Sequence, residues 1–306
     1  MTPPMDAGDE VTRAVSALMP DLRRHARTSL ALVAFAVAAG LAVAALILQS
    51  GMEEGDRWNW AFLAGITGLI LAGAVYKWTR STQEELLMPV LARSIGFVYG
   101  KNARSFVEAL PRRLMPEGSV RSGEDHLKGA LGAHTIQMAE VTAETGGKDS
   151  DILFKGIVVQ FPNRTAMPAF FIARQDETTP GFFSGGRLST QGLHPLRDVT
   201  IGQRTYGIWT SQPDGPEPQS LSAVIEVLRA LEIRVGMGVE LYAATSNGVE
   251  MHVALSHKRN LFRAGGLFPS EDRILADVQR VLQDLKIPLT LAQALIEAEE
   301  AVAVKS

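Results

Sequence analysis

Few residues in this chain are suited to chemistry, and they sit in short clusters. Glu124, Asp125 and His126 are consecutive, and carboxylates beside an imidazole are the donor set of a divalent metal site. Consecutive residues on a strand point to opposite faces, however, so the trio reads more simply as a solvated turn ahead of a strand. Glu250 and His252 share one face of a later segment, opposite Val249, Met251 and Val253, and His257 follows. That pattern suits an outward polar sheet face, with a metal pair completed by a distant carboxylate as the sharper reading. Asp149 and Asp151 flank Ser150, which is half of an Asp-x-Asp metal loop or an ordinary turn between strands. Gly236-x-Gly238 precedes a strand pattern rather than a helix, the wrong context for a phosphate cradle.

A hydrolytic or metal-dependent enzyme would need Glu124, Asp125, His126, His252 and Asp151 to converge in one concave pocket. No Gly-x-Ser-x-Gly, His-Glu-x-x-His or Gly-Lys-Ser/Thr element occurs, and there are no cysteines, which excludes disulfides and thiolate zinc sites. Lys and Arg total 30 against 33 Asp and Glu, a net charge of -3 without a basic cluster, so a nucleic acid is not an expected partner. No catalytic, cofactor-binding or metal-binding residue is assigned, no cofactor is expected, and the balance leans away from an enzyme.

The elements that must carry these residues begin with two uncharged apolar runs, Leu30–Leu48 and Trp58–Tyr76. Each is about 19 residues, enough at ~1.5 Å per residue to cross the ~30 Å core of a bilayer. Arg23, Arg24 and Arg27 precede the first run and Lys77 and Arg80 follow the second, whereas the turn between them holds Glu53, Glu54 and Asp56 against Arg57. The positive-inside rule then puts both termini in the cytoplasm. Trp58, Trp60, Tyr76 and Trp78 fall at the ends of the second span as interface anchors. Small residues recur at every fourth position, Ala36, Gly40 and Ala44 on one helix and Ala64, Gly68 and Ala72 on the other. Such stripes pack the two helices together, or serve self-association or a protein partner. Neither span holds an ionisable side chain, which argues against a pump.

Organisation follows from these runs. Residues 1–27 form a cytoplasmic N-terminal segment with an amphipathic helix at Val11–Arg24, and residues 28–78 the transmembrane hairpin, with spans at 30–48 and 58–76. Residues 79–118 form a juxtamembrane helix, patterned over Gln83–Gly100 with Pro89 inside it, and a linker with a short helix near Phe106–Leu110. Residues 119–300 form a soluble cytoplasmic α+β domain with a mainly antiparallel sheet. Its expected strands are Leu127–Leu131, Thr135–Ala143, Ile152–Phe161, Ala169–Arg174, Arg204–Ser211, Val239–Ala244 and Val249–Leu255. Ile152–Val159, apolar on both faces, belongs at the centre of the sheet. Thr178–Pro195 reads as loop, a helix follows Ser220, Asn247-Gly248 marks a hairpin, and Ser270 caps a last helix that Pro288 ends or kinks. Apolar residues in segments that read as surface loops, Phe182, Phe183, Leu261, Phe262, Leu267 and Phe268, are candidates for touching lipid or a partner protein.

The order of these features carries a resemblance. A two-span hairpin, then Ser122-Gly123-Glu124-Asp125 with Gly129, then Phe154-Lys155-Gly156, a helix, an Asn-Gly hairpin, Leu261-Phe262 with Phe268, and a terminal helix resemble the bacterial two-pass membrane family called domain of unknown function 3137. The resemblance covers about Leu30 to Leu295, and Arg263 departs from it where many members have an acidic residue or proline. It implies a membrane protein of unknown biochemical role that anchors a cytoplasmic binding domain, and it supplies no activity. A membrane-bound hydrolytic or metal-dependent enzyme, or an accessory subunit of a transporter, is the alternative.

Overall fold

A computed structural model describes residues 7–147, 150–163, 169–178, 187–212, 219–234, 239–257, 262–266 and 269–303. In chain order the elements are α1 (Ala7–Leu48), α2 (Glu54–Ser94), β1 (Phe97–Asn102), α3 (Arg104–Ala109), a 3-10 turn (Arg112–Leu114), β2 (Val120–Leu131), β3 (His134–Glu144), β4 (Ile152–Pro162) and β5 (Phe170–Arg174). There follow α4 (Gln175–Thr178), β6 (His194–Ile201), β7 (Arg204–Thr210), α5 (Gln219–Arg234), β8 (Val239–Ser246), β9 (Glu250–His257) and α6 (Glu271–Ala303). The chain divides into two compact units, one of residues up to Ile95 with Phe262–Leu282, the other of Gly96–Leu261 with the chain from Gln283 onward.

In the first unit, the expected amphipathic helix and first span are one continuous helix, α1, with Pro20 inside it. Val11, Val15, Met19 and Leu22 bury one side of its beginning. Beyond Leu30 the helix turns apolar residues outward instead, as does α2: Phe35, Leu41, Leu46, Phe62, Leu69 and Ile70 are all more than 60 % exposed. Both helices are long and apolar enough to cross a membrane. Their seam is made by glycine. A Cβ on Gly40 would stand 3.0 Å from Gly68 Cα and one on Gly68 2.9 Å from the Ala36 carbonyl oxygen, so the two backbones touch where side chains would hold them apart. Gly40 and Gly68 are thus occupied within the hairpin, the intramolecular use of the small-residue stripes. Polar ties fix the rest of this unit. The Gln83 side-chain oxygen accepts from Gly266 N at 2.7 Å, Asp277 accepts from Gly265 N at 3.1 Å, and Ser16 donates to Glu271 at 2.6 Å.

The second unit holds a nine-stranded sheet in the order β1-β2-β3-β4-β9-β8-β5-β7-β6, with antiparallel neighbours throughout. The order is linear, so the sheet is open and β1 and β6 are its edges. β4 lies in the interior of the sheet, between β3 and β9, as its two-sided apolar sequence requires. α3 and the 3-10 turn lay Phe106, Val107, Leu114 and Met115 over one face, against small residues such as Ala139, Val141 and Ala254. Three strands depart from the expected elements, and the first is β2, which begins at Val120 rather than Leu127 and so takes in Glu124, Asp125 and His126, read as a turn ahead of it. The helical pattern to Gly100 stops at Ser94, because Gly96 adopts φ +79° and turns the chain into edge strand β1. β6 lies partly where a loop was expected and is largely exposed, so it lacks the apolar alternation that marks a strand. Pro288 does not end the last helix: α6 runs 33 residues through it, capped by Ser270, whose hydroxyl accepts from Arg273 N. The Asn-Gly hairpin forms as expected, with Asn247 Oδ1 accepting from Val249 N and Glu250 N.

The glycine seam is tested by disulfide trapping, since the chain has no cysteine of its own. Ala44→Cys with Ala64→Cys is expected to crosslink efficiently in membranes, and adding Gly68→Leu to reduce that several-fold by overpacking worth about 1–3 kcal/mol. Equal crosslinking in the leucine variant would contradict the seam.

Candidate functional site

The site is built by an irregularity in β2. Its pairing with β3 runs in register from Val120 opposite Glu144 to Glu124 opposite Glu140, then resumes at Leu127 opposite Met138. Asp125 and His126 therefore share the space opposite one residue, Ala139, which is a β-bulge. Asp125 takes φ +56° there, a left-handed conformation that aspartate tolerates better than most residues. Pairing with β1 is continuous across the same stretch.

The bulge separates neighbours in sequence. The His126 ring stacks on Phe106 of α3 with centroids 5.2 Å apart, and its Nε2 lies 3.2 Å from Gln137 Oε1. Asp125 is buried and faces β1 instead: the Tyr99 hydroxyl donates to its Oδ1 at 2.5 Å and Lys101 Nζ stands 3.8 Å away. Burial pushes the Asp125 carboxyl up, against the opposing pull of the Tyr99 hydrogen bond and the Lys101 charge. Glu124 is exposed.

Glu140 completes the group from β3. It is 2 % exposed, and neither carboxylate oxygen has a hydrogen-bond partner. Its nearest cation is Lys155 Nζ of β4, 3.5 Å from Oε1. Burial, with Asp125 and Glu124 adding repulsion and Lys155 opposing, raises its carboxyl to about 7. Four adjacent strands thus place Tyr99, Lys101, Glu124, Asp125, Glu140 and Lys155 in one cluster. Both short motifs behind the family resemblance contribute: Gly-Glu-Asp supplies Glu124 and Asp125, and Phe-Lys-Gly supplies Lys155. The last glycine has its own reason. A Cβ on Gly156 would stand 2.0 Å from the Leu255 carbonyl oxygen and 2.6 Å from the Phe154 ring. Glu140 itself escaped the sequence reading, because a lone carboxylate between Ala139 and Val141 looks like the outward residue of an alternating strand. Its one signal was a lone charge within a strand whose other members, from Thr135 to Ala143, are uncharged.

The other candidates do not join this cluster. His252 is 3 % exposed rather than on an outward polar face, opposite Gln160 and Thr245 and on the side of the sheet that carries Ala254 and the α3 core. The strand is covered on both faces, which an alternating pattern read as half-solvated misses. Burial drives the His252 imidazole down to about 4, and its Nδ1 has no hydrogen-bond partner. Asp151 is exposed and works through its backbone, donating N–H to Thr145 Oγ1 at 2.8 Å while its carbonyl accepts from Thr145 N. Asp149, Gly236 and Gly238 lie outside the described residues, among which no group of three or more His, Asp or Glu is placed to hold a metal ion. Of the contact-loop candidates, Phe262 is 1 % exposed: it folds inward, the commoner outcome for an apolar loop residue, and is not available to touch lipid or a partner. Phe182, Phe183, Leu261, Leu267 and Phe268 lie outside the described residues. Trp58, Trp60, Tyr76 and Trp78 are exposed on α2. About 18 residues of helix separate the two aromatic pairs, roughly 27 Å at ~1.5 Å per residue. Elsewhere Arg174 and Arg204 share Glu240, and Arg174 also pairs with Asp176, a network in which each carboxylate meets a guanidinium.

No protein-family model matches the chain, and no curated protein matches it in sequence. Among solved structures it is similar to the crystal structure of the mycobacterial trehalose monomycolate transport factor A, TtfA, with 11 % identity and a TM-score of 0.33, over 65 % of this chain and 93 % of that one. At that level of likeness nothing about activity or partners carries over.

The His252 geometry gives a pH dependence. Its imidazole is neutral when folded and binds protons near pH 6.5 when unfolded, so its contribution is full above that value and is lost as pH falls toward 4. At about 1.4 kcal/mol per pKa unit, the loss by pH 4 is about 3 kcal/mol. The expected result is an imidazole NMR signal for His252 that does not titrate above pH 5; titration near 6.5 would show the ring to be solvated.

Proposed function

We propose that this chain is a two-pass protein of the bacterial inner membrane, with both termini cytoplasmic, that anchors a non-enzymatic binding domain at the bilayer. The observation that carries this reading is the outward apolar surface of α1 and α2. Side chains such as Phe35, Leu46, Phe62 and Ile70 are exposed around a seam already closed by Gly40 and Gly68. In water such a surface costs about 25 cal/mol per Å² of apolar area, and in lipid it costs nothing comparable. The basic residues Arg23, Arg24, Arg27, Lys77 and Arg80 flank the spans at their outer ends, and the acidic turn lies between them, which supports the orientation. Placement in the family of domain of unknown function 3137 is supported by the order of its short motifs. The partner in this reading is a protein or a second copy of the chain, held near the membrane.

The buried carboxyl pair Asp125 and Glu140 favours a second reading, a membrane-bound hydrolytic enzyme, because raised carboxyls mark acid–base sites. The separate placements of His252 and Asp151 weigh against it. An accessory subunit of a transporter is a special case of the first reading, in which the bound protein is the transporter.

Extraction of native membranes with alkaline carbonate is expected to leave the chain in the pellet, and release into the supernatant would overturn the membrane reading. Crosslinking of the intact protein in its own membrane, followed by mass spectrometry, is expected to give one reproducible protein partner on the second unit. Crosslinks confined to the hairpin, or none, would shift weight to self-association or to the enzyme.

A further inference from the structure

We propose that Glu140 and Asp125 form a proton-binding site inside the sheet, whose occupancy controls how firmly edge strand β1 is held. Glu140 is fully enclosed, and both its oxygens lack hydrogen-bond partners, the state of a carboxyl that burial favours as neutral. The charged groups bearing on it are Asp125 and Glu124 from β2 and Lys155 from β4. β1 reaches the site through Asp125, which receives the Tyr99 hydroxyl and sits near Lys101. With Glu140 protonated, Asp125 is the one buried carboxylate of the pair, and its contacts to Tyr99 and Lys101 tie β1 to the bulge. When the proton leaves, a second negative charge appears in the same cluster, on a carboxylate whose oxygens have no hydrogen-bond partner. Lys155 is 33 % exposed at its side chain and 3.5 Å away, so it compensates only in part. The weakest element facing the repulsion is the bulge, where Asp125 already holds φ +56°, together with the six-residue edge strand bound to it.

The sign follows from linkage. The Glu140 carboxyl sits at about 7 in the folded protein against 4.5 ordinarily, so the folded state binds the proton more tightly. Stability is therefore full at low pH and falls as pH rises through 7. The site rests on geometry within the second unit alone and does not depend on whether that unit binds a partner.

The test is hydrogen–deuterium exchange on the full chain in lipid nanodiscs, expressed as protection relative to intrinsic rates, at a series of pH values from 5.5 to about 8.5. Protection of β1 and the bulge, relative to β4, is expected to fall by up to about thirtyfold between the ends of the series, about 1.5 pKa units at tenfold each. Glu140→Gln is expected to be flat, and Lys155→Met to move the wild-type midpoint to higher pH. Carbon NMR of the Glu140 side-chain carboxyl in the unmutated protein gives a readout that survives if Glu140→Gln fails to fold. Titration near 7 is the expected result. Titration below 5, or a pH dependence of exchange that Glu140→Gln retains, overturns the proposal.

Discussion

One extra residue in β2 decides what the sheet can hold. β2 must pair with β1 in an unbroken register and with β3 in a register that slips by one, and it satisfies both by placing Asp125 and His126 opposite Ala139. Without that slip, Asp125 and His126 would alternate like any neighbours on a strand, and Leu127 would not meet Met138. With it, His126 goes to the α3 core and Asp125 to the carboxyl group shared with Glu140. The cluster's electrostatics and the anchoring of the edge strand both descend from that register shift.

The hairpin rests on a comparable economy. Where Gly40 and Gly68 meet, attraction between helices needs no polar group, because close backbone contact supplies dispersion that bulkier residues would prevent. The outward surface is then free to be apolar all round.

Periodicity made the large elements legible. The two apolar runs, the interior strand at Ile152, the Asn247-Gly248 hairpin and the Ser270 cap each advertise themselves within a window of a few residues, and each is present. The site was only half legible. Glu124 and Asp125 stood out by type, and Lys155 lay in a recognisable step, yet nothing local shows that β3 brings Glu140 between them. Buried charge in an alternating strand is indistinguishable from surface charge until the layer that covers it is known. The same blindness placed His252 in solvent and hid β6, whose exposure removes the apolar rhythm by which strands are read.

The outer side of an edge strand has no neighbouring strand to pair with, and such edges recruit foreign strands. This sheet defends both of its edges. β6 carries Pro195, an irregularity between Pro195 and Arg197, and the exposed charges of Arg197 and Asp198, while β1 is six residues long and carries Lys101. Proline removes a donor, the irregularity spoils the spacing, and a lysine or aspartate would have to surrender water to a newcomer. Aggregation through strand addition is thereby discouraged, and so is recognition of an extended peptide at either edge.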